Sequence, residues 1–101
     1  MGTYEVVWAK GIEKDFKKLN FGQERFKKLV EKINCILSNP YKYTKQVHSL
    51  QKVRRFRFGE YRLFVLIDDV GMNIYCLSIS LRGKSYTKES MRKILARIQK
   101  L

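Results

Sequence analysis

Apolar positions along the chain follow two periods, and each change of period marks an element. "TYEVVWA" (Thr3 to Ala9) is rich in β-branched and aromatic residues and predicts a first strand. Ile12, Phe16 and Leu19 then recur at helical spacing until the Asn20-Phe21-Gly22 break. Beyond it Phe26, Leu29, Val30, Ile33, Ile36 and Leu37 form an apolar stripe, the strongest helix signal in the chain, and Ser38-Asn39-Pro40 ends it. A polar, tyrosine-bearing loop is predicted from Tyr41 to Gln51. Three strands follow, Val53 to Phe58, Tyr61 to Ile67 and Met72 to Leu81, joined by a two-residue turn at Gly59-Glu60 and a longer one from Asp68 to Gly71. Thr87 can cap a terminal helix in which Met91, Ile94, Leu95 and Ile98 share one face. The order β-α-α-β-β-β-α predicts an α+β fold. A mainly antiparallel four-stranded sheet carries a two-helix hairpin on one face, with the C-terminal helix on the same side.

Strand parity gives the polar positions a direction. Side chains two apart share a face, so Phe56 and Phe58 point one way and Arg55 and Arg57 the other. Leu63, Val65 and Ile67 fit the core, which turns Arg62 outward. In the last strand Leu77, Ile79 and Leu81 form the apolar set, opposite Ser78, Ser80 and Arg82. With the hairpin on the apolar face, Arg55, Arg57, Arg62 and Arg82 collect on the uncovered one. A register slip of one residue would bury all four, at a cost that a small fold could not absorb. Arg54 has the parity of the core set and is placed at the start of its strand, reaching solvent.

Charge sharpens this picture. The 101 residues suit one domain, 1–101, and carry a formal charge of +13, which favours a polyanionic partner. The first 40 residues hold eight basic and five acidic side chains, an ordinary solvated helix surface. From Tyr41 to Ile67 there are seven basic residues against Glu60 alone. Arginine there is a specific choice, because its guanidinium is a rigid fork suited to phosphate. Cys35 and Cys76 form no CxxC pattern and, with only His48 beside them, no zinc site; each reads as a small buried hydrophobe in a reducing compartment. No cofactor or metal is implied. No apolar run reaches membrane-spanning length and no signal-peptide pattern opens the chain, so a cytoplasmic location is expected.

The run "FRFGEYRLFVLIDD", the Gly59-Glu60-Tyr61-Arg62 start of its second strand, and "LSISLRGKSYT", with Arg82-Gly83-Lys84-Ser85-Tyr86, resemble the RelE/ParE superfamily of bacterial and archaeal type II toxins, in the archaeal RelE form. The resemblance covers nearly the whole chain. Its RelE branch implies a metal-independent endoribonuclease that cuts mRNA in the ribosomal A site. The ribose 2′-OH attacks the adjacent phosphodiester, the 5′-oxygen leaves, and a 2′,3′-cyclic phosphate remains. By the same resemblance, Arg62 and Arg82 hold the scissile phosphate and Tyr86 orients the nucleotide or assists proton transfer, with Arg55 and Arg57 as further phosphate clamps. Lys42, Lys45, Lys52 and Arg54 would steer the protein onto ribosomal RNA and mRNA.

Two departures matter. The best-known bacterial branch carries lysines where this chain has Arg55 and Arg57, and arginine does not give up its proton. Lys84 is then the remaining candidate base, and catalysis can rest largely on charge stabilisation. The related YoeB and HigB branches use histidine or a carboxylate; His48, in the loop, reads as a loop or core residue. The partners implied are an acidic RelB-like antitoxin in a hetero-oligomer, the ribosome and mRNA, with no membrane. Alternatives are a ParE-like inhibitor of DNA gyrase and a non-catalytic basic RNA-binding module.

Overall fold

Local chemistry ends the first helix where the chain must reverse. In the computed structural model, which describes residues 3–84 and 86–101, helix α1 (Ile12–Lys18) closes at Leu19. Asn20 takes a left-handed φ of 49°, Phe21 N–H donates to the Phe16 carbonyl (3.0 Å) and Asn20 N–H to that of Lys17 (3.1 Å). This is a Schellman ending with asparagine in the left-handed position. Its hydrophobic contact is the Phe16–Phe21 ring pair, 5.0 Å between centroids. Helix α2 (Gln23–Ile36) starts two residues later and buries Leu29, Ile33 and Ile36.

Before α1 runs strand β1 (Glu5–Trp8), and after α2 come a short helix α3 (Pro40–Tyr43) and strands β2 (Lys45–Gln46), β3 (Val53–Phe58), β4 (Tyr61–Asp68) and β5 (Asn73–Leu81), then helix α4 (Lys88–Gln99). The sheet order is β1-β5-β4-β3-β2, with β1 parallel to β5 and every other pair antiparallel. The sheet thus has five strands where four were expected. Part of the anticipated loop forms α3 and β2, because Pro40 suits the first turn of a helix and Lys45 and Gln46 pair with Arg55 and Arg54. Gly59 turns the β3–β4 hairpin with φ 58°, as glycine does at the first position of a type II′ turn.

The sheet is covered on both faces, so α4 does not lie with the hairpin. One core joins Phe21, Leu29 and Ile33 to Phe56, Leu63, Val65 and Ile79. The other places Ile94 of α4 with Val47, Leu50, Val53, Phe64 and Leu77. Leu77 therefore faces away from Ile79, contrary to simple alternation. A bulge explains this: Phe64 pairs with Ser78 but Val65 with Cys76, leaving Leu77 as the extra residue. Of the anticipated α4 stripe, Leu95 is 47% exposed, because Met91, Ile94 and Ile98 already fill the contact. Cys76 is buried, which pushes its thiol up to about 12, whereas Cys35 lies exposed on the outer side of α2.

A buried carboxylate ties α1, β5 and α4 together. Asp15 is 4% exposed and accepts from Ser78 Oγ (2.9 Å), Ile79 N (3.3 Å), Lys93 Nζ (2.9 Å) and Arg97 Nη1 (2.6 Å). Arg97 also donates to the carbonyls of Leu77 (2.7 Å) and Gly11 (3.0 Å). Burial alone would raise the Asp15 carboxyl, but hydrogen bonds from Arg97, Lys93 and Ser78 outweigh it and hold the group below its ordinary range. A depressed carboxylate adds stability above its unfolded value, about 4, and loses it as pH falls through the folded value. Asp15→Asn is expected to cost about 3 kcal/mol at neutral pH, since Arg97 loses its counter-charge where its side chain is 10% exposed. Thermal melts should show a drop of roughly 15 °C at pH 7. The gap should close as the wild type is acidified, and a gap unchanged at low pH would contradict the ion-pair account.

Candidate functional site

Antiparallel pairing sets Arg57 directly opposite Arg62, and Arg55 directly opposite Phe64. Residues so paired share a face, and Phe64 identifies it as the α4 side of the sheet. The face expected to be uncovered is thus covered by the α4 core from Val53 across Phe64 to Leu77; Arg55 stands level with Phe64, and Arg57 and Arg62 lie beyond it, toward the Gly59–Glu60 turn. Arg82 follows the end of β5 and is held by its backbone, whose N–H donates to the Glu60 carbonyl (2.8 Å). Arg57, Arg62 and Arg82 line one shallow depression of about 60 Å³ together with Gly59 and Tyr61.

Tyr86 closes the group from the side. Its ring stands edge-on to Phe64 (6.0 Å, 84°), and the Arg62 guanidinium carbon lies 5.5 Å from the ring centroid. Arg55 Nη1 donates to the Tyr86 hydroxyl, while Arg55 Nε is buried with no partner among the described residues. The tyrosine remains 43% exposed, so a ligand can reach it. Ser85, the residue before it in the motif, lies outside the described residues.

The other basic residues divide. Lys45 pairs with Arg55 across β2 and β3, shares its face, and extends the cluster outward. Lys42 on α3 and Lys52 in the turn before β3 are exposed, Lys42 lying 5.5 Å from the Tyr43 ring centroid. Arg54 does not reach solvent freely. It sits on the hairpin face, half-buried, donating through Nε to Thr44 Oγ1 (2.7 Å) and through Nη2 to the Thr44 carbonyl (2.8 Å), beneath the Tyr41 ring (5.0 Å). There it ties the α3–β2 segment to β3. Lys84 is exposed and lines a different depression from the three arginines, beside Ser80 and Ser90. His48 is exposed in the loop. Sequence reasoning missed Asp15, although a charged residue at the i+3 position of the Ile12 stripe was a visible anomaly. It also missed Lys18 and Lys93, which line the depression beside Lys84.

The electrostatics are unbalanced. Among the described residues the ion pairs are Asp15 with Lys93 and with Arg97, and none reaches the arginine cluster. Like charges directly opposite on adjacent strands destabilise a sheet. Arg57→Thr is therefore expected to stabilise the fold by about 0.5 kcal/mol, seen as a rise of roughly 3 °C in thermal melts. A fall would show that Arg57 is anchored rather than opposed. No three His, Cys, Asp or Glu side chains among the described residues are grouped to hold a metal ion. The arrangement suits a phosphate group: several guanidinium forks around one shallow site, with an aromatic ring at its side.

Comparison with known proteins places the chain in a family. The sequence model of the family described as ParE toxin of the type II toxin–antitoxin system parDE matches residues 6–86. None of the curated proteins matches the chain. Among solved structures, a double mutant of the E. coli toxin RelE in the free state superposes with a TM-score of 0.70 at 19% identity, covering 96% of this chain and 99% of that one. The toxin–antitoxin complex RelBE2 of Mycobacterium tuberculosis gives 0.64 at 21% identity over 80% and 100%. The archaeal RelE–RelB complex of Pyrococcus horikoshii gives 0.62 at 20% identity over 82% and 99%. With the family match spanning the sheet, the hairpin and the arginine cluster, the chain belongs to the ParE toxin family of the RelE/ParE superfamily, as the toxin of a type II toxin–antitoxin system.

Proposed function

We propose that the chain is an endoribonuclease that cuts mRNA on the ribosome, with the scissile phosphate held by Arg57, Arg62 and Arg82. The observation that carries this reading is the direct opposition of Arg57 and Arg62 beside Arg82, an excess of positive charge that an incoming phosphate relieves. Attack by the 2′-OH builds negative charge on the non-bridging oxygens, and fixed guanidinium donors stabilise that charge more than they stabilise the ground state. Tyr86, steadied by Arg55 and Arg62, packs against the nucleotide and keeps the 2′-OH in line with the leaving 5′-oxygen. Because arginines keep their protons and Lys84 lines the neighbouring depression, proton transfer falls to Tyr86, and charge stabilisation supplies most of the acceleration. Lys42, Lys45 and Lys52 bring the protein onto RNA.

In the cell the partner is an antitoxin whose acidic segment covers this basic face, giving a toxin–antitoxin hetero-oligomer in the cytoplasm. No helix among the described residues is long and apolar enough to cross a membrane.

A second reading, inhibition of DNA gyrase, is favoured by the ParE family match. One experiment separates the two. The purified chain is incubated with ribosomes carrying mRNA, and in parallel with gyrase and relaxed plasmid. New mRNA ends bearing 2′,3′-cyclic phosphate support the first reading. Loss of supercoiling with intact mRNA supports the second.

A further inference from the structure

Beyond the arginine cluster, a depression of about 220 Å³ opens along the edge of β5 between α1 and α4. Three lysines from three separate elements line it: Lys18 from the last turn of α1, Lys84 from the β5–α4 segment and Lys93 from α4. Ser80 and Ser90 add hydroxyl groups to the same wall, and Ser90 Oγ donates to the Lys84 carbonyl (3.2 Å), fixing that segment against α4. One carboxylate, Asp15, borders the space, and it is already engaged by Lys93, Arg97 and Ser78. Lys18 and Lys84 have no carboxylate partner among the described residues. The depression therefore presents two ammonium groups, those of Lys18 and Lys84, with no carboxylate to neutralise them, which is the chemistry of an oxyanion site.

Its place relative to the cluster narrows the ligand. Ser80 is the direct cross-strand partner of Arg62, and Arg82 lies between Ser80 and Lys84 in sequence. One strand of polyanion lying on Arg62 and Arg82 can thus continue across the segment 80–84 into the lysine-lined hollow. We infer that this hollow is a second phosphate subsite, binding a non-scissile phosphate of the same RNA strand that the arginine cluster holds. The inference rests on the reading of the ligand as RNA given above. Lys18 is the residue to test, since it is exposed and takes no part in the arginine cluster or in the Asp15 ion pairs.

The test measures binding of a fully 2′-O-methylated RNA oligonucleotide, which has no 2′-OH to attack, so cleavage plays no part in it. A chain that binds this RNA but cuts no mRNA would fail the proposed function and leave the subsite standing. Lys18→Ala is expected to weaken binding about fivefold at moderate salt and to lower the slope of log affinity against log salt by about 0.7. Lys18→Arg should restore both. Lys27→Ala, an equal charge loss on the exposed side of α2, should change affinity less than twofold. Inorganic phosphate followed by amide chemical shifts should saturably perturb Ser80 and Ser90 in the wild type and not in Lys18→Glu, with the remaining shifts reporting an intact fold. Equal effects of Lys18→Ala and Lys27→Ala would overturn the subsite, as would unchanged RNA binding accompanied by weaker binding of an acidic antitoxin peptide alone.

Discussion

Arg82→Ala is expected to slow the chemical step of RNA cleavage by roughly a hundredfold or more, the loss seen when one transition-state donor is removed. The fold should not register the change. Arg82 is exposed, and the contact that fixes its position is made by its backbone N–H to the Glu60 carbonyl, which alanine keeps. What disappears is one guanidinium from the depression shared with Arg57 and Arg62. Lys45 and Lys52 provide the contrast. Both are exposed, Lys45 reaches the cluster face through its pairing with Arg55, and neither lines the depression. Their joint replacement by alanine should weaken ribosome binding and its salt dependence while single-turnover cleavage at saturating ribosome stays within about twofold. Single-turnover rates and binding isotherms on the same ribosomes check this. Equal loss of binding and chemistry in both variants would mean that the cluster only steers, and the reading as a nuclease would give way to that of a binding module.

The basic strand was legible because charge and parity reinforce each other there. Arg55, Arg57 and Arg62 share one parity, and the cost of burying unpaired charge set them opposite Phe56 and Leu63, but the face they mark is not bare, since α4 covers it as far as Phe64 beside Arg55. The bounds of β3 and the capping of α4 by Thr87, whose Oγ1 accepts from Ser90 N–H at 3.1 Å, were equally local and equally readable. What failed was non-local. The apolar set of β5 shifts phase, since Ile74 and Cys76 share the hairpin core with Ile79 although Cys76 and Ile79 lie three positions apart. Taking alternation through that point put Leu77 on the wrong face, and the odd spacing itself was the sign of a bulge. The side on which α4 packs has no signature in α4 alone, because its stripe fits either face of the sheet. The expected solvent-reaching Arg54 and the separate placement of Lys84 depend on loop paths that periodicity does not encode.

Removal of residues 87–101 is expected to abolish the native fold, and this outcome decides what α4 does. Ile94 is fully buried, and with Met91 and Ile98 it covers Val53, Phe64 and Leu77. Burying each side chain of that size contributes about 1.5–3 kcal/mol. Loss of Lys93 and Arg97 also strands the buried Asp15 carboxylate, a change that costs about 3 kcal/mol more. Together these approach the roughly 5–15 kcal/mol that holds a domain of this size. The shortened chain should therefore lose its cooperative melt and bind a hydrophobic dye. The same geometry constrains any control exerted through α4. Ser90 Oγ is bonded to the Lys84 carbonyl, and Tyr86 rests on Phe64 at the border of the α4 core. Displacing α4 would free the segment that carries Lys84 and Tyr86 and disarm the site. An antitoxin acting this way must leave Phe64 and Leu77 covered, so its segment has to bring apolar side chains to that face as well as acidic ones to the arginines. Adding such a segment to the shortened chain should restore the cooperative melt without restoring cleavage. If the shortened chain instead folds alone, cuts mRNA and escapes the antitoxin, α4 is a control element laid over a fold that does not need it.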